Sequence, residues 1–240
     1  ANYKLFLSLC FLTLASSALE ERSLPHLKSQ EDLWNQHCQQ VAQDPELMIK
    51  KFGDYKNRLS FVNQGGFGNG GVCWWHSRLT RIAQYMAVFN PDLPPLTANE
   101  AYFQVHRLRQ GKPTTINGFK NFYDFSVVHQ KTIQSVLEEW QVINGGFQFG
   151  FLDGLIGSAS LPIDEYKVLM DDTYEIFQRT KKPIYQMLQV PGITAHAWIL
   201  IDMKPTLTGY QYQVVDSNYS YVQIWNYAYG DTHFSSFLMP

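Results

Sequence analysis

Three residues carry the chemistry that this sequence could perform. Cys73 follows a stretch, 65 to 71, in which five of seven residues are glycine, and it opens an apolar, helix-periodic run. His196 lies in Thr-Ala-His-Ala-Trp, residues 194 to 198, and Asp216 closes Tyr-Gln-Tyr-Gln-Val-Val-Asp, residues 210 to 216. A thiol, an imidazole and a carboxylate are the parts of a nucleophilic triad. The thiolate attacks a carbonyl, the imidazole serves as base and acid, and the carboxylate fixes the imidazole tautomer. At a helix head, unpaired N–H groups and the helix dipole favour negative sulfur. Glycines before it let the backbone turn sharply and approach a substrate. The Cys73 N–H can then donate to an oxyanion. Gln64 and Asn69 are the side-chain amides available as a second donor.

Each of these residues also has a plainer reading. A lone histidine in an apolar strand is ordinarily a satisfied core residue. Asp202 competes as its carboxylate, but from the far end of the same strand. Cys38 and Cys73 could instead form a disulfide in an oxidising compartment. Cys73-Trp74-Trp75-His76 and His37-Cys38 have ligand-like spacing for zinc. Neither is a Cys-x-x-Cys pair, and two tryptophans would crowd an ion, so neither metal nor cofactor is expected. His76 is expected to face solvent or to tune the site. Trp74 and Trp75 either wall a cleft or fill a core.

The elements that would position the triad follow from periodicity and punctuation. A helix is expected from Ser29 to about Ala42, with Ser29 and Asp32 as its cap and Leu33, Trp34 and Val41 on one face. After a glycine-rich loop over 59 to 72, a helix runs from Cys73 to about Phe89, with Leu79, Ile82, Ala83 and Met86 on one side. Asn90-Pro91 stops it. Thr97 and Glu100 form a capping box for a helix ending near Gln110, with Gly111 as its stop. A loop follows. Ile133, Val136, Leu137 and Trp140 mark another helix, ended by Asn144-Gly145-Gly146. Residues 145 to 157 read as a loop or seam. Pro162 starts a helix with Tyr166, Leu169, Met170 and Phe177 on one side. Strands are expected over 183 to 190, 194 to 203, 209 to 216 and 220 to 225. Residues 195 to 201 are apolar on both faces except at His196, which suggests a central strand. Helices first and sheet afterwards read as an α+β fold.

The 240 residues are 45% hydrophobic, enough for a substantial core, and the formal charge of −2 offers no basic field for nucleic acid. Aromatic content of 15% fits a ring-rich core, or a groove gripping extended peptide. Residues 1 to 18 read as a secretory signal: Lys4, a short apolar stretch from Leu5 to Leu14, then small residues 15 to 18. Cys10 follows leucine rather than a small residue, which argues against lipidation. Signal cleavage would leave a secreted or periplasmic chain with no membrane insertion. Asn218-Tyr219-Ser220 is a glycosylation sequon beside Asp216, read as incidental because a glycan there would obstruct the site.

A cysteine at a helix head after glycines, then His-Ala on a strand, then an aspartate ending the next strand, resembles the papain-like cysteine peptidase superfamily over roughly residues 60 to 225. The resemblance implies a two-lobed fold, with a helical N-terminal lobe bearing Cys73 and an antiparallel sheet lobe bearing His196 and Asp216. It implies a papain-like catalytic domain over 59–240, preceded by a helical segment or pro-segment over 19–58. It also implies amide hydrolysis of a peptide or protein through an acyl-enzyme. The chain departs from the papain pattern in three places. Gly70-Gly71-Val72-Cys73-Trp74 stands where papain has Cys-Gly-Ser-Cys-Trp. Phe67 occupies the position six before the cysteine, where a glutamine is usual, and Asp216 stands in place of asparagine. The Cys-His-Asp order is similar to transglutaminase-like thiol enzymes, for which an amine would replace water. A third alternative is a non-catalytic exported binding protein with a Cys38–Cys73 disulfide.

Overall fold

The computed structural model describes residues 29–44, 46–147, 160–190 and 193–233. The signal expected over 1 to 18 and most of the seam expected over 145 to 157 lie outside the described residues. The fold is α+β. α1 spans Gln30–Gln43 and opens with a Ser29–Asp32 capping box; its half-buried Leu33, Trp34 and Val41 are those expected from the sequence. α2 spans Leu47–Gly53. α3 spans Cys73–Met86 and buries Leu79 and Ala83 completely, with Ile82 and Met86 packed beside them.

α3 ends three residues earlier than the sequence suggested. Residues Ala87–Asn90 form β1, which pairs in parallel with β2, Thr114–Asn117, inside a segment expected to be loop. Val88 and Phe89 favour an extended backbone, and Asn90 precedes a proline, which disfavours the helical region. α4, Ala98–Arg109, carries the expected Thr97–Glu100 box. α5, Phe122–Val128, was not legible. It is capped by Asn121 and held by wholly buried Phe122 and Phe125, an apolar pair three apart in a run too short to show a period. α6, Gln130–Trp140, buries Ile133, Val136, Leu137 and Trp140 and runs on into a π-helical turn, Gln141–Phe147. α7, Ile163–Thr180, buries Tyr166, Met170 and Phe177. Leu169 is exposed: it lies one residue, or about 100°, from Met170, at the edge of that stripe.

The C-terminal part is an antiparallel sheet in the order β3-β4-β5-β6, with β3 at Ile184–Val190, β4 at Ile193–Pro205, β5 at Gly209–Asp216 and β6 at Gln223–Ala228. β4 is central, as its apolar run requires. Side chains of α3, α4, α5 and α6 form one apolar core; α7 and the sheet form another around Trp198, Tyr212 and Trp225. α3 joins them. Ser77 Oγ donates to the Ala197 carbonyl at 3.0 Å, and Tyr185 Oη to the Trp74 carbonyl at 3.4 Å. The N-terminal segment also packs onto this frame. Phe52 is fully buried beside Ile199, Ile201 and Val215, and His37 Nε2 lies 3.1 Å from the Tyr85 carbonyl. Among the described residues no helix is long and apolar enough to cross a membrane.

Candidate active site

The β4–β5 register decides the position of the imidazole and the carboxylate. Trp198 is directly opposite Asp216, so His196, two residues along β4, is the diagonal neighbour of that aspartate. His196 Nε2 lies 2.8 Å from Asp216 Oδ1, and the pair is almost fully buried. The Asn218 N–H donates to the same Oδ1 at 2.8 Å, closing a tight turn after β5. Asp202 instead pairs with Lys204 at 2.8 Å.

Cys73 is the first residue of α3, and its side chain is half-buried. It shares a crevice of about 610 Å³ with His196, walled by residues 62 to 65 and 69 to 71 and by Asn218. Burial opposes protonation of His196. A hydrogen bond and the negative charge of Asp216, joined by the same two contributions from Cys73, outweigh it and push the imidazole up to about 9. Asp216 occupies Nε2, so Nδ1 is the nitrogen that remains for the sulfur. Gln64 and Asn69 both line this crevice and are exposed. Among the described residues neither side-chain amide has a protein partner, so both are available to a ligand.

Asn63, which sequence reasoning passed over, stitches the loop to the sheet. Its N–H donates to the Ser217 carbonyl at 2.6 Å. Its Oδ1 accepts from the Val72 N–H at 2.5 Å, and its Nδ2 donates to Asn218 Oδ1 at 3.0 Å. Gln141 Nε2, from the π-helical turn, donates to the Gly71 carbonyl at 3.0 Å. Gly71 has φ +83°, and a Cβ there would collide with the Asn63 side chain. A left-handed alanine adds roughly 1 kcal/mol of backbone strain to that collision. Gly71→Ala is therefore expected to shift the backbone at Cys73 and to slow any reaction at its sulfur by about tenfold or more, because misplacing the backbone next to a reacting group is costly. Circular dichroism of the same variant should stay native.

The structure decides several readings that the sequence left open. His76 does not face solvent. It is buried, with Nε2 3.0 Å from the Phe61 carbonyl, and burial pushes its pKa down to about 4 despite that bond and the nearby Asp216 charge. Trp74 and Trp75 are both buried in the helical core rather than forming an open wall. The Cys38–Cys73 disulfide is absent: neither sulfur is disulfide-bonded, with Cys38 exposed on α1 and Cys73 in the crevice. The Asn218 of the sequon lines the crevice, where its Oδ1 accepts from Asn63 Nδ2. Among the described residues no cluster of three or more His, Cys, Asp or Glu side chains is placed to hold a metal ion.

The two histidines set opposite limits on pH stability. The folded chain refuses a proton at His76 that the unfolded chain accepts below about 6.5. Stability is therefore expected to fall between pH 6.5 and 4, by roughly 3 kcal/mol from this group. His196 is raised, so its contribution is complete below about 6.5 and is lost as pH rises through about 9. Urea denaturation across pH checks both limbs, and His76→Gln should flatten only the acid one.

Compared with known proteins, the chain matches no family model, no curated protein sequence and no solved structure.

Proposed function

We propose that this protein is a cysteine hydrolase of amide bonds, acting as a papain-like peptidase on peptide or protein substrates outside the cytoplasm. One observation carries the reading: a half-buried sulfur at a helix head shares a crevice with an imidazole whose far nitrogen is held 2.8 Å from a buried carboxylate. The helical core around α3 and the sheet packed on α7 correspond, in this reading, to the two lobes.

In the mechanism, Cys73 as thiolate attacks the substrate carbonyl carbon and forms the C–S bond. The carbonyl electron pair moves to oxygen, where the Cys73 N–H and the amide of Gln64 or Asn69 receive it. His196, as imidazolium, gives its proton to the leaving nitrogen as the C–N bond breaks, leaving an acyl-enzyme. Neutral His196 then takes a proton from water, the resulting oxygen attacks the thioester, and the thiolate departs. Asp216 holds the imidazole in its productive tautomer throughout.

Incubation with a peptide library and a primary amine tests the proposal. Hydrolysed peptides that disappear in Cys73→Ala support it. Amine-capped products instead would move the assignment to a transglutaminase-like acyltransferase, and no product of either kind would leave a non-catalytic binding protein.

A further inference from the structure

We propose that Arg58 is a positioning residue for the triad, acting through ordered water in a polar chamber behind Asp216. The chamber holds about 170 Å³ and is separate from the crevice, and Asp216 belongs to its wall. Its floor is unusual for a protein interior. Arg58 Nε, Thr80 Oγ1, Ser217 Oγ and Asp216 Oδ2 are all buried with no hydrogen-bond partner among the described residues. Their residues are between 1% and 8% exposed. Leaving four such buried atoms unmatched would be strongly destabilising.

The chemistry of the four atoms selects the occupant. Arg58 Nε can only donate, Asp216 Oδ2 can only accept, and the two hydroxyls do either. An anion would suit the guanidinium but face the carboxylate, and a cation would suit the carboxylate but face the guanidinium. Water donates and accepts, and the chamber has room for several molecules. The charged and titratable groups around the chamber are Arg58, His76 and Asp216, with Tyr55, Tyr123 and Tyr219 also on its wall. Asp54 interacts with Arg58 from outside it.

The consequence concerns the carboxylate's orientation. Oδ1 is fixed by His196 and Asn218, whereas Oδ2 has no donor among the described residues. Water tied to Arg58, Thr80 and Ser217 supplies that donor and stops the carboxylate from rotating away from the imidazole. Arg58 is thereby coupled to Cys73 without touching the crevice. Only the catalytic consequence rests on the hydrolase reading; the coupling to His196 does not.

The test is an NMR titration of the His196 ring in the full chain and in Arg58→Met. If Arg58 positions Asp216, the midpoint falls by about half a unit or more as the imidazole loses its partner. Losing a nearby cation while the carboxylate stays put would raise the midpoint instead. An unchanged or raised midpoint therefore overturns the proposal, whatever the protein hydrolyses. Thr80→Val removes one chamber hydroxyl at constant shape, should shift the midpoint the same way by less, and decides the matter if Arg58→Met does not fold. In hydrolysis, Arg58→Met should lower kcat about tenfold with KM within about twofold, as loss of a supporting hydrogen-bond partner does. A crystal structure with ordered water linking Arg58 Nε to Asp216 Oδ2 supports the inference; a direct Arg58–Asp216 pair or a bound anion there contradicts it.

Discussion

Cys73→Ala is expected to abolish amide hydrolysis, by a factor on the order of 10⁴ or more, while leaving the fold in place. The loss is large because covalent attack has no substitute in the crevice: the nearby Gln64, Asn69 and Asn218 carry only amides. The fold should survive because the sulfur is half-exposed and holds no disulfide. Its helix is anchored elsewhere, by Leu79, Ala83 and the Ser77–Ala197 bond. Thermal unfolding and substrate turnover measured on the same sample separate these effects. A variant that unfolds would place Cys73 in the packing, and one that still hydrolyses would remove it from the chemistry.

Asp216→Asn has the second largest expected effect. The asparagine keeps the shape and can still accept from the Asn218 N–H, but it cannot hold a positive imidazole. Activity should fall roughly 10²- to 10⁴-fold, the range expected when a triad loses its orienting carboxylate. His196, now pushed up to about 9 against its burial, should fall as it loses the part of that elevation that Asp216 supplies, the Cys73 contribution remaining. The alkaline limb of kcat/KM, which follows loss of the imidazolium, should accordingly move from near pH 9 toward lower pH. The alkaline limb of stability should move with it, since both report the same proton. An alkaline limb that stays near pH 9 in this variant would show that another group sets it.

The three residues of the proposed triad were legible because each left a local signature. Glycines before a helix-periodic run mark Cys73, and a polar interruption of an apolar strand marks His196. Alternation through Tyr210, Tyr212 and Val214 fixes where β5 ends, at Asp216. The antiparallel register then follows from two adjacent strands with a short connection. The supporting shell left no such mark. Asn63 works through bonds to Val72, Ser217 and Asn218, which only the closed fold brings together. Arg58, Thr80 and Ser217 come from three separate segments, and their shared chamber has no period or motif. His76 looked exposed because a polar residue four before Thr80 reads as the helix's outer face. The helix is in fact covered there by the Phe61 segment, whose carbonyl and ring both meet His76. The β1–β2 pair was missed for a similar reason: four-residue strands joined through a helix are a tertiary fact, not a local one.

The proposed chemistry requires the sulfur and the imidazole to act as a pair, and Cys38 provides an internal reference for testing this. It is an exposed free thiol on α1, in the same molecule as Cys73. Alkylation by iodoacetamide at pH 6, with each site followed by peptide mass, should modify Cys73 at least about tenfold faster than Cys38, because the imidazolium beside it favours the reactive thiolate. That advantage should shrink as pH rises through about 9 and His196 loses its proton. Equal rates at pH 6, with both thiols gaining reactivity together only as the solution turns alkaline, would contradict the account.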